Sequence, residues 1–194
     1  MHANRYTAFV DACSLAGALH RNVLLSLAEA ELYRPRWSSE VMEETERAIQ
    51  RILADQPDPE GSAKKAAANM KKAFPEADVG DVTAMLPMVP DLPDAGDRHV
   101  VAGVIIARAH VLVTDNIKDF PETVLSVFDT EVKTTDEFIA NTIDLDDATA
   151  LSAIRRMRKR LKKPSMSGDK LLDLMELRGL VSSAGLLRPF ADFI

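Results

Sequence analysis

The stretch Asp97-Arg98-His99-Val100-Val101-Ala102-Gly103-Val104-Ile105-Ile106-Ala107-Arg108-Ala109-His110-Val111-Leu112-Val113-Thr114-Asp115 reads as a helix feeding a strand. From Asp97 to Arg108 the pattern is helical and apolar almost all round, which marks a buried helix rather than one lying on a surface. Val111 to Thr114 is then an apolar run of the length of a buried strand, and it stops at a carboxylate, Asp115. Near the start of the chain, Thr7-Ala8-Phe9-Val10 repeats the design and stops at Asp11.

Between these two runs lie further helical patterns at about 19–30, 39–53 and 63–74. Strands alternating with helices imply an α/β fold with a parallel sheet. Pro57, Pro59 and Gly61 break the chain between the second and third patterns, and Pro87, Pro90 and Pro93 keep the approach to Asp94 extended. After Phe138 the pattern is helix only. Asp144 is the expected cap of a helix whose Leu151, Ile154, Met157 and Leu161 form an apolar stripe. A second helix is expected over 169–178, with Gly179 just past its end and apolar material from Leu180 to Ile194 for docking. The expected division is a core over 1–135 and a helical C-terminal extension over 136–194.

The chain has 194 residues, of which 46% are hydrophobic and 28% charged, the profile of a soluble globular protein with a sizeable core. A single cysteine, Cys13, excludes a disulfide framework and fits a reducing compartment, so the cytoplasm is the expected location. No apolar run has the length of a membrane span, and the N-terminal residues lack the layout of a secretory signal. The formal net charge is −6, yet seven of the nine residues from Arg155 to Lys163 are basic, so the two signs are segregated along the chain.

Ligands of open parallel sheets bind beyond the carboxyl ends of the strands, so Asp11 and Asp115 are expected on one edge. Asp94 and Asp97 stand at the start of the buried helix, near one rim of the sheet, as caps or as site residues. On the helix from Ser39, the expected buried face is Val41, Thr45, Ala48, Ile49 and Ile52. Glu44 lies nearer that face than Glu40 or Glu43, which read as solvated. Carboxylates without a cysteine or histidine pattern make a hard-ligand site suited to Mg²⁺ or Mn²⁺, and such sites usually serve phosphoryl transfer. Zinc proteases, P-loop NTPases and dinucleotide enzymes are excluded by missing motifs, and a serine triad by its missing elbow and by the scatter of His2, His20, His99 and His110. His99 is assigned to packing or capping.

These residues resemble the PIN-domain ribonucleases, especially the VapC-like toxins of type II toxin–antitoxin pairs. Val10-Asp11-Ala12-Cys13 is similar to the family's first acid at the end of strand one. Trp37-Ser38-Ser39-Glu40-Val41-Met42-Glu43-Glu44 is similar to the helix carrying the second, which places it at Glu44. Leu92-Pro93-Asp94-Ala95-Gly96-Asp97-Arg98-His99-Val100 is similar to the third-acid motif, with Asp97 as ligand and Asp94 its companion. Val113-Thr114-Asp115-Asn116-Ile117-Lys118-Asp119-Phe120-Pro121 is similar to the segment after strand four, but Asn116 stands where the family most often has an acid, with Asp115 and Asp119 beside it.

The resemblance implies a PIN-like parallel sheet flanked by helices over about 6–130. It also implies a Mg²⁺ or Mn²⁺ site using Asp11 and Asp97, catalysis by Asp11, Glu44, Asp97 and Asn116 or Asp115, and endonucleolytic cleavage of RNA. A cognate antitoxin and a homodimer are the partners it implies. The basic run has three readings: a solvated helix end complementing the macrodipole, an RNA-backbone contact through Arg155, Arg158, Lys159 and Lys162, or a dock for an acidic antitoxin segment. The alternative to an enzyme is a PIN-like module, impaired at Asn116, that binds RNA or protein. A haloacid-dehalogenase phosphatase needs an Asp where this chain has Cys13, and no receiver-type set of acids and lysine is present.

Overall fold

The computed structural model describes residues 6–162 and 165–194. In chain order the elements are β1 (Thr7–Val10), α1 (Ala12–Ala16), α2 (Ala18–Glu29), β2 (Arg34–Arg36), α3 (Ser39–Ile52), α4 (Pro59–Ala73), α5 (Arg98–Ala107), β3 (Val111–Val113), α6 (Glu122–Leu125), β4 (Glu131–Lys133), α7 (Thr135–Leu145), α8 (Asp147–Arg160), α9 (Gly168–Leu177) and α10 (Val181–Leu187). Tight 3-10 turns at Thr83–Met88 and Ala95–Asp97 lead into α5. The described chain divides into two compact units, one of Tyr6–Gly17 with Arg34–Thr134 and one of Ala18–Tyr33 with Thr135–Ile194.

In the first unit the strands form a parallel sheet in the order β2-β1-β3-β4. Ala8 pairs with Val111 and Val10 with Val113, so the two runs that end in carboxylates lie side by side and finish at one edge. The fold is therefore the expected α/β sheet flanked by helices. β2 and β4 carry no comparable apolar signal. They flank the sheet as Arg34-Pro35-Arg36 and Glu131-Val132-Lys133, and an outer strand buries less side chain and accommodates proline.

The central strand β1 and helix α5 meet at unusually close quarters. Phe9 is fully buried, and a Cβ built on Gly103 of α5 would lie 2.3 Å from its Cζ. Gly103 is thus a packing requirement, since only a residue without a side chain lets the helix settle on the ring. Gly103→Ala is expected to cost about 1–3 kcal/mol through overpacking, or roughly 3–10 °C in melting temperature, which thermal denaturation will measure.

In the second unit α2 packs on α8 and α7, and α10 packs on α7 and α9. Tyr33 meets Phe138 edge to face at 4.8 Å, and its hydroxyl donates to the Leu24 carbonyl. Asp136 caps α10 by accepting from the Ser182 and Ser183 amides and the Ser183 hydroxyl. The linear division at residue 135 differs from this grouping, because α2 packs with the C-terminal helices although it lies early in the sequence.

Several helix ends differ from their sequence expectations. Asp144 lies inside α7, a helix that its sequence does not separate from α8, and the cap of α8 is Asp146, which accepts from the Thr149 amide. Helix α9 is capped by Ser167, and Gly179 sits just beyond it at φ 87, the left-handed geometry expected of that position. On α3 the buried side chains are Val41, Met42, Thr45 and Ile49, whereas Ile52 in the final turn is 62% exposed. Among the described residues, no helix is long and apolar enough to cross a membrane.

Candidate active site

Asp11 follows β1 directly and its amide extends the ladder by donating to the Val113 carbonyl at 3.0 Å. Its side chain is buried and works on both sides: Oδ1 caps α1 by accepting from the Ala12 amide at 2.6 Å, while Oδ2 accepts from the Thr114 hydroxyl at 2.7 Å. Thr114, fully buried after β3, in turn accepts the Asn116 amide at 3.1 Å. The hydroxyl therefore fixes the Asp11 carboxylate and shapes the loop after β3. In the sequence Thr114 is only the end of an apolar run, and its role follows from the register of β1 with β3.

Helix α5 runs antiparallel to the strand it feeds, so its N-terminus returns to the rim where β1 and β3 end. This places Asp97 beside Asn116, whose side-chain amide donates to Asp97 Oδ2 in a long contact of 3.5 Å. The two acids before α5 differ in their contacts. Asp94 caps the preceding turn by accepting from the Gly96 amide at 2.7 Å, whereas Asp97, at the cap position of α5, makes no capping hydrogen bond. Burial pushes the Asp97 carboxyl up to about 6, and the charges of Asp11, Asp94 and Asp119 add to that push. Asp119 thus contributes to the field at Asp97, while Asp115 is exposed, with its amide donating to the Cys13 sulfur.

Glu44, on α3, is half-buried. Its Oε2 lies 3.3 Å from Nε2 of His99, in the first turn of α5, and His99 Nδ1 lies 2.8 Å from the Gly96 carbonyl. The His99 contact holds the Glu44 carboxyl below the usual carboxylate range despite its partial burial. Burial pulls the imidazole down, but the hydrogen bonds to Glu44 and Gly96 and the charges of Glu44 and Asp11 outweigh it and raise it overall. His99 thus faces the Gly96 carbonyl with one ring nitrogen and Glu44 with the other. Glu43 is exposed, and Glu40 instead accepts from the Val82 amide. The expectation that Glu40 is solvated is corrected by that contact.

Cys13 sits beside the same carboxylate. Burial, reinforced by the Asp11 charge, pushes its thiol up to about 11, so it stays protonated and donates to Asp11 Oδ2 at 3.1 Å. Next to the Asp97 loop lies an open cleft of about 380 Å³ lined by Leu86, Pro87, Ala95, Gly96, Arg98 and His99. Arg98 holds one wall of it by donating to the Leu86 and Val89 carbonyls.

Among the described residues, no group of three or more His, Cys, Asp and Glu side chains is arranged to hold a metal ion. A dedicated protein cage of the kind Ca²⁺ takes is therefore absent among them. Mg²⁺ needs only one or two carboxylates and keeps several waters, and the repulsion felt at Asp97 is what such a cation relieves. The donor chemistry, oxygen only, fits that group.

Residues 7–118, more than half of the chain, match the PIN domain family. The chain belongs to the PIN domain family. Residues 135–189 match the VapC50 C-terminal domain, so the helices that follow the PIN domain are also VapC-like. Among individual proteins, the chain is similar to "Putative ribonuclease VapC50" of Mycobacterium tuberculosis, 32% identical over 79 residues, which is 41% of this chain and 47% of that relative. The match thus spans about half the length of the curated relative. No solved structure matches.

The basic run does not present itself as one surface. Arg155 lies over the Phe193 ring at 4.8 Å, Arg158 donates to the Ile194 and Met166 carbonyls, and Arg160 pairs with Glu29 and Ser26. Arg155 and Arg158 are thereby engaged with the C-terminal segment, and Arg160 with α2. Arg156, Lys159 and Lys162 are exposed, and Lys163, like His2, lies outside the described residues.

Proposed function

We propose that this chain is an endoribonuclease dependent on Mg²⁺ or Mn²⁺ and the toxin of a toxin–antitoxin pair. The observation that carries this reading is the convergence of three sequence-distant segments on one sheet edge: Asp11 after β1, Asn116 after β3 and Asp97 at the start of α5, with Glu44 tied to the last by His99. The family match and the ribonuclease designation of the relative support it.

Asp11 and Asp97 are the residues that would hold the cation. When bound, it supplies Lewis acidity and charge neutralisation at the scissile phosphate. Glu44, kept ionised by His99, orients the attacking water and takes its proton as the water oxygen bonds to phosphorus, while the ribose oxygen of the broken phosphorus–oxygen bond leaves with the electron pair and is protonated from solvent. Asn116 orients Asp97, and Thr114 holds Asp11 in one rotamer. Asp119 rather than Asp115 supplies the additional negative charge felt at Asp97.

Purified protein is to be incubated with total bacterial RNA in Mg²⁺ or Mn²⁺ and in chelator, beside Asp97→Asn. Discrete cuts that need the cation and vanish in the variant are the expected result. The rival reading, a PIN-like binding module, is favoured by Asn116 in an acid's position; absence of cutting under every divalent condition selects it.

RNA-backbone contact is assigned to Arg156, Lys159 and Lys162, with Arg155 and Arg158 reassigned to packing. Replacing those three by Glu is expected to flatten the salt dependence of RNA binding by about 0.7 in log–log slope for each phosphate that is no longer neutralised, read from binding isotherms at several salt concentrations. The same face is open to an acidic segment of the antitoxin.

A further inference from the structure

We infer that His99 is a positioning residue that holds Glu44 in its working orientation by bracing its ring against the Gly96 carbonyl. The inference rests on the reading of Glu44 as a catalytic residue. A carbonyl oxygen only accepts, so Nδ1, 2.8 Å from Gly96, carries a proton and fixes the ring plane. Nε2 then points at Glu44 Oε2, 3.3 Å away; a carboxylate also only accepts, so Nε2 carries a proton as well, and it is sealed from solvent with that carboxylate as the group it faces. A buried polar nitrogen aimed at a single carboxylate leaves that carboxylate one stabilising position, toward the ring.

The anchor is short in sequence and rigid in structure. Gly96 lies in the turn pinned by Asp94, and His99 lies in the first turn of α5, two residues after Asp97. The acid on α3 is thereby indexed to the same turn that presents Asp97. Glu44 meets His99, whereas Glu40 accepts from the Val82 amide and Glu43 lies 3.7 Å from Arg47. Its side chain is 13% exposed against 39% for Glu44, so the partner is fixed and the carboxylate keeps one side toward solvent, where a water can approach.

Five proteins are to be compared in steady-state RNA cleavage: wild type, His99→Ala, His99→Gln, which retains a donor, Glu44→Gln, and the His99→Ala, Glu44→Gln double variant. The expected result is a loss of about 10-fold or more in kcat for His99→Ala with KM within twofold, partial recovery in His99→Gln, and less than twofold further loss when His99→Ala is added to Glu44→Gln. An undiminished loss in the Glu44→Gln background, or a loss confined to KM, overturns the inference. If Glu44→Gln itself cleaves at the wild-type rate, the catalytic reading of Glu44 fails and the inference falls with it. A readout free of activity accompanies these: at fixed pH, Glu44→Gln is expected to move the His99 ring resonances in carbon–proton correlation spectra and leave those of His20 and His110 in place. Unmoved His99 resonances overturn the inference, whatever the kinetics.

Discussion

Asp11→Asn is expected to lower metal-dependent RNA cleavage on the order of 10³-fold while shifting the melting temperature by no more than about 2 °C. The two halves of that expectation come from different oxygens of one side chain. Asn keeps an oxygen that accepts the Ala12 amide, and Asn caps a helix about as well as Asp, so α1 stays anchored. On the other side, Asn offers an amide in place of the carboxylate that receives the Thr114 hydroxyl. The Thr114 hydroxyl and the Cys13 thiol, which both donate to that oxygen, can each rotate to accept the amide, so no buried group is orphaned. What disappears is the negative charge, and with it the affinity for a hard cation. Asp11→Ala is the less informative variant, because it also leaves the Ala12 amide and the Thr114 hydroxyl unpaired. The measurement is a cleavage rate paired with a thermal melt on the same preparation. Cleavage by Asp11→Asn at the wild-type rate with the divalent dependence intact would remove Asp11 from the site.

The second large effect is a gain of stability that accompanies loss of function. The Asp97 carboxyl is raised to about 6 in the folded chain, by burial and by the charges of Asp11, Asp94 and Asp119, against about 3.8 when unfolded. The folded state therefore binds this proton more tightly than the unfolded state. Without divalent cation the chain loses stability as pH rises from about 4 through 6, and the loss is complete above that window. Asp97→Asn is neutral at every pH and escapes it. Solvent screening at a half-buried carboxyl reduces the effect to about 1 kcal/mol, or roughly 2–4 °C. Asp97→Asn is thus expected to melt higher than wild type at pH 7.5 in chelator, to melt alike at pH 4, and to lose cleavage. Added Mg²⁺ should raise the wild-type melting temperature at pH 7.5 and leave the variant in place. Melts that run parallel at both pH values would show that Asp97 feels no such repulsion.

The variants diverge because of what each carboxylate does in the fold. Asp11 caps α1 and accepts the Thr114 hydroxyl, so an Asn in its place brings no gain. Asp97 makes no capping hydrogen bond, so its charge is a cost in the metal-free chain. Close placement of like charges at a site is a common expense of function, and a neutral substitution that stabilises is its signature.

Much of this architecture is legible in the residues. The apolar runs ending at Asp11 and Asp115 are two short buried strands, the all-round apolar pattern from Asp97 to Arg108 is a buried helix, and Gly179 is a helix terminator. Periodicity and turn chemistry are local properties, and they suffice for those elements. β2 and β4 escape such a reading because outer strands bury little, and α7 escapes because Asp144 and Asp146 offer competing caps to one run of helical sequence.

Residue types and their spacing give the set of carboxylates, their place at strand and helix ends, and the face of α3 on which Glu44 lies. Which of them meet is a matter of packing. Parallel pairing of β1 with β3 puts the Thr114 hydroxyl on Asp11, and the antiparallel return of α5 puts Asp97 at the same rim. The braced His99 ring joins Glu44 to that turn, while Arg155 and Arg158 are drawn from a basic run into packing. The physical reason is that hydrogen bonds and charge interactions act over a few ångströms in space. Composition and spacing describe distance along the chain, and the register of the sheet and the direction of one helix convert one into the other.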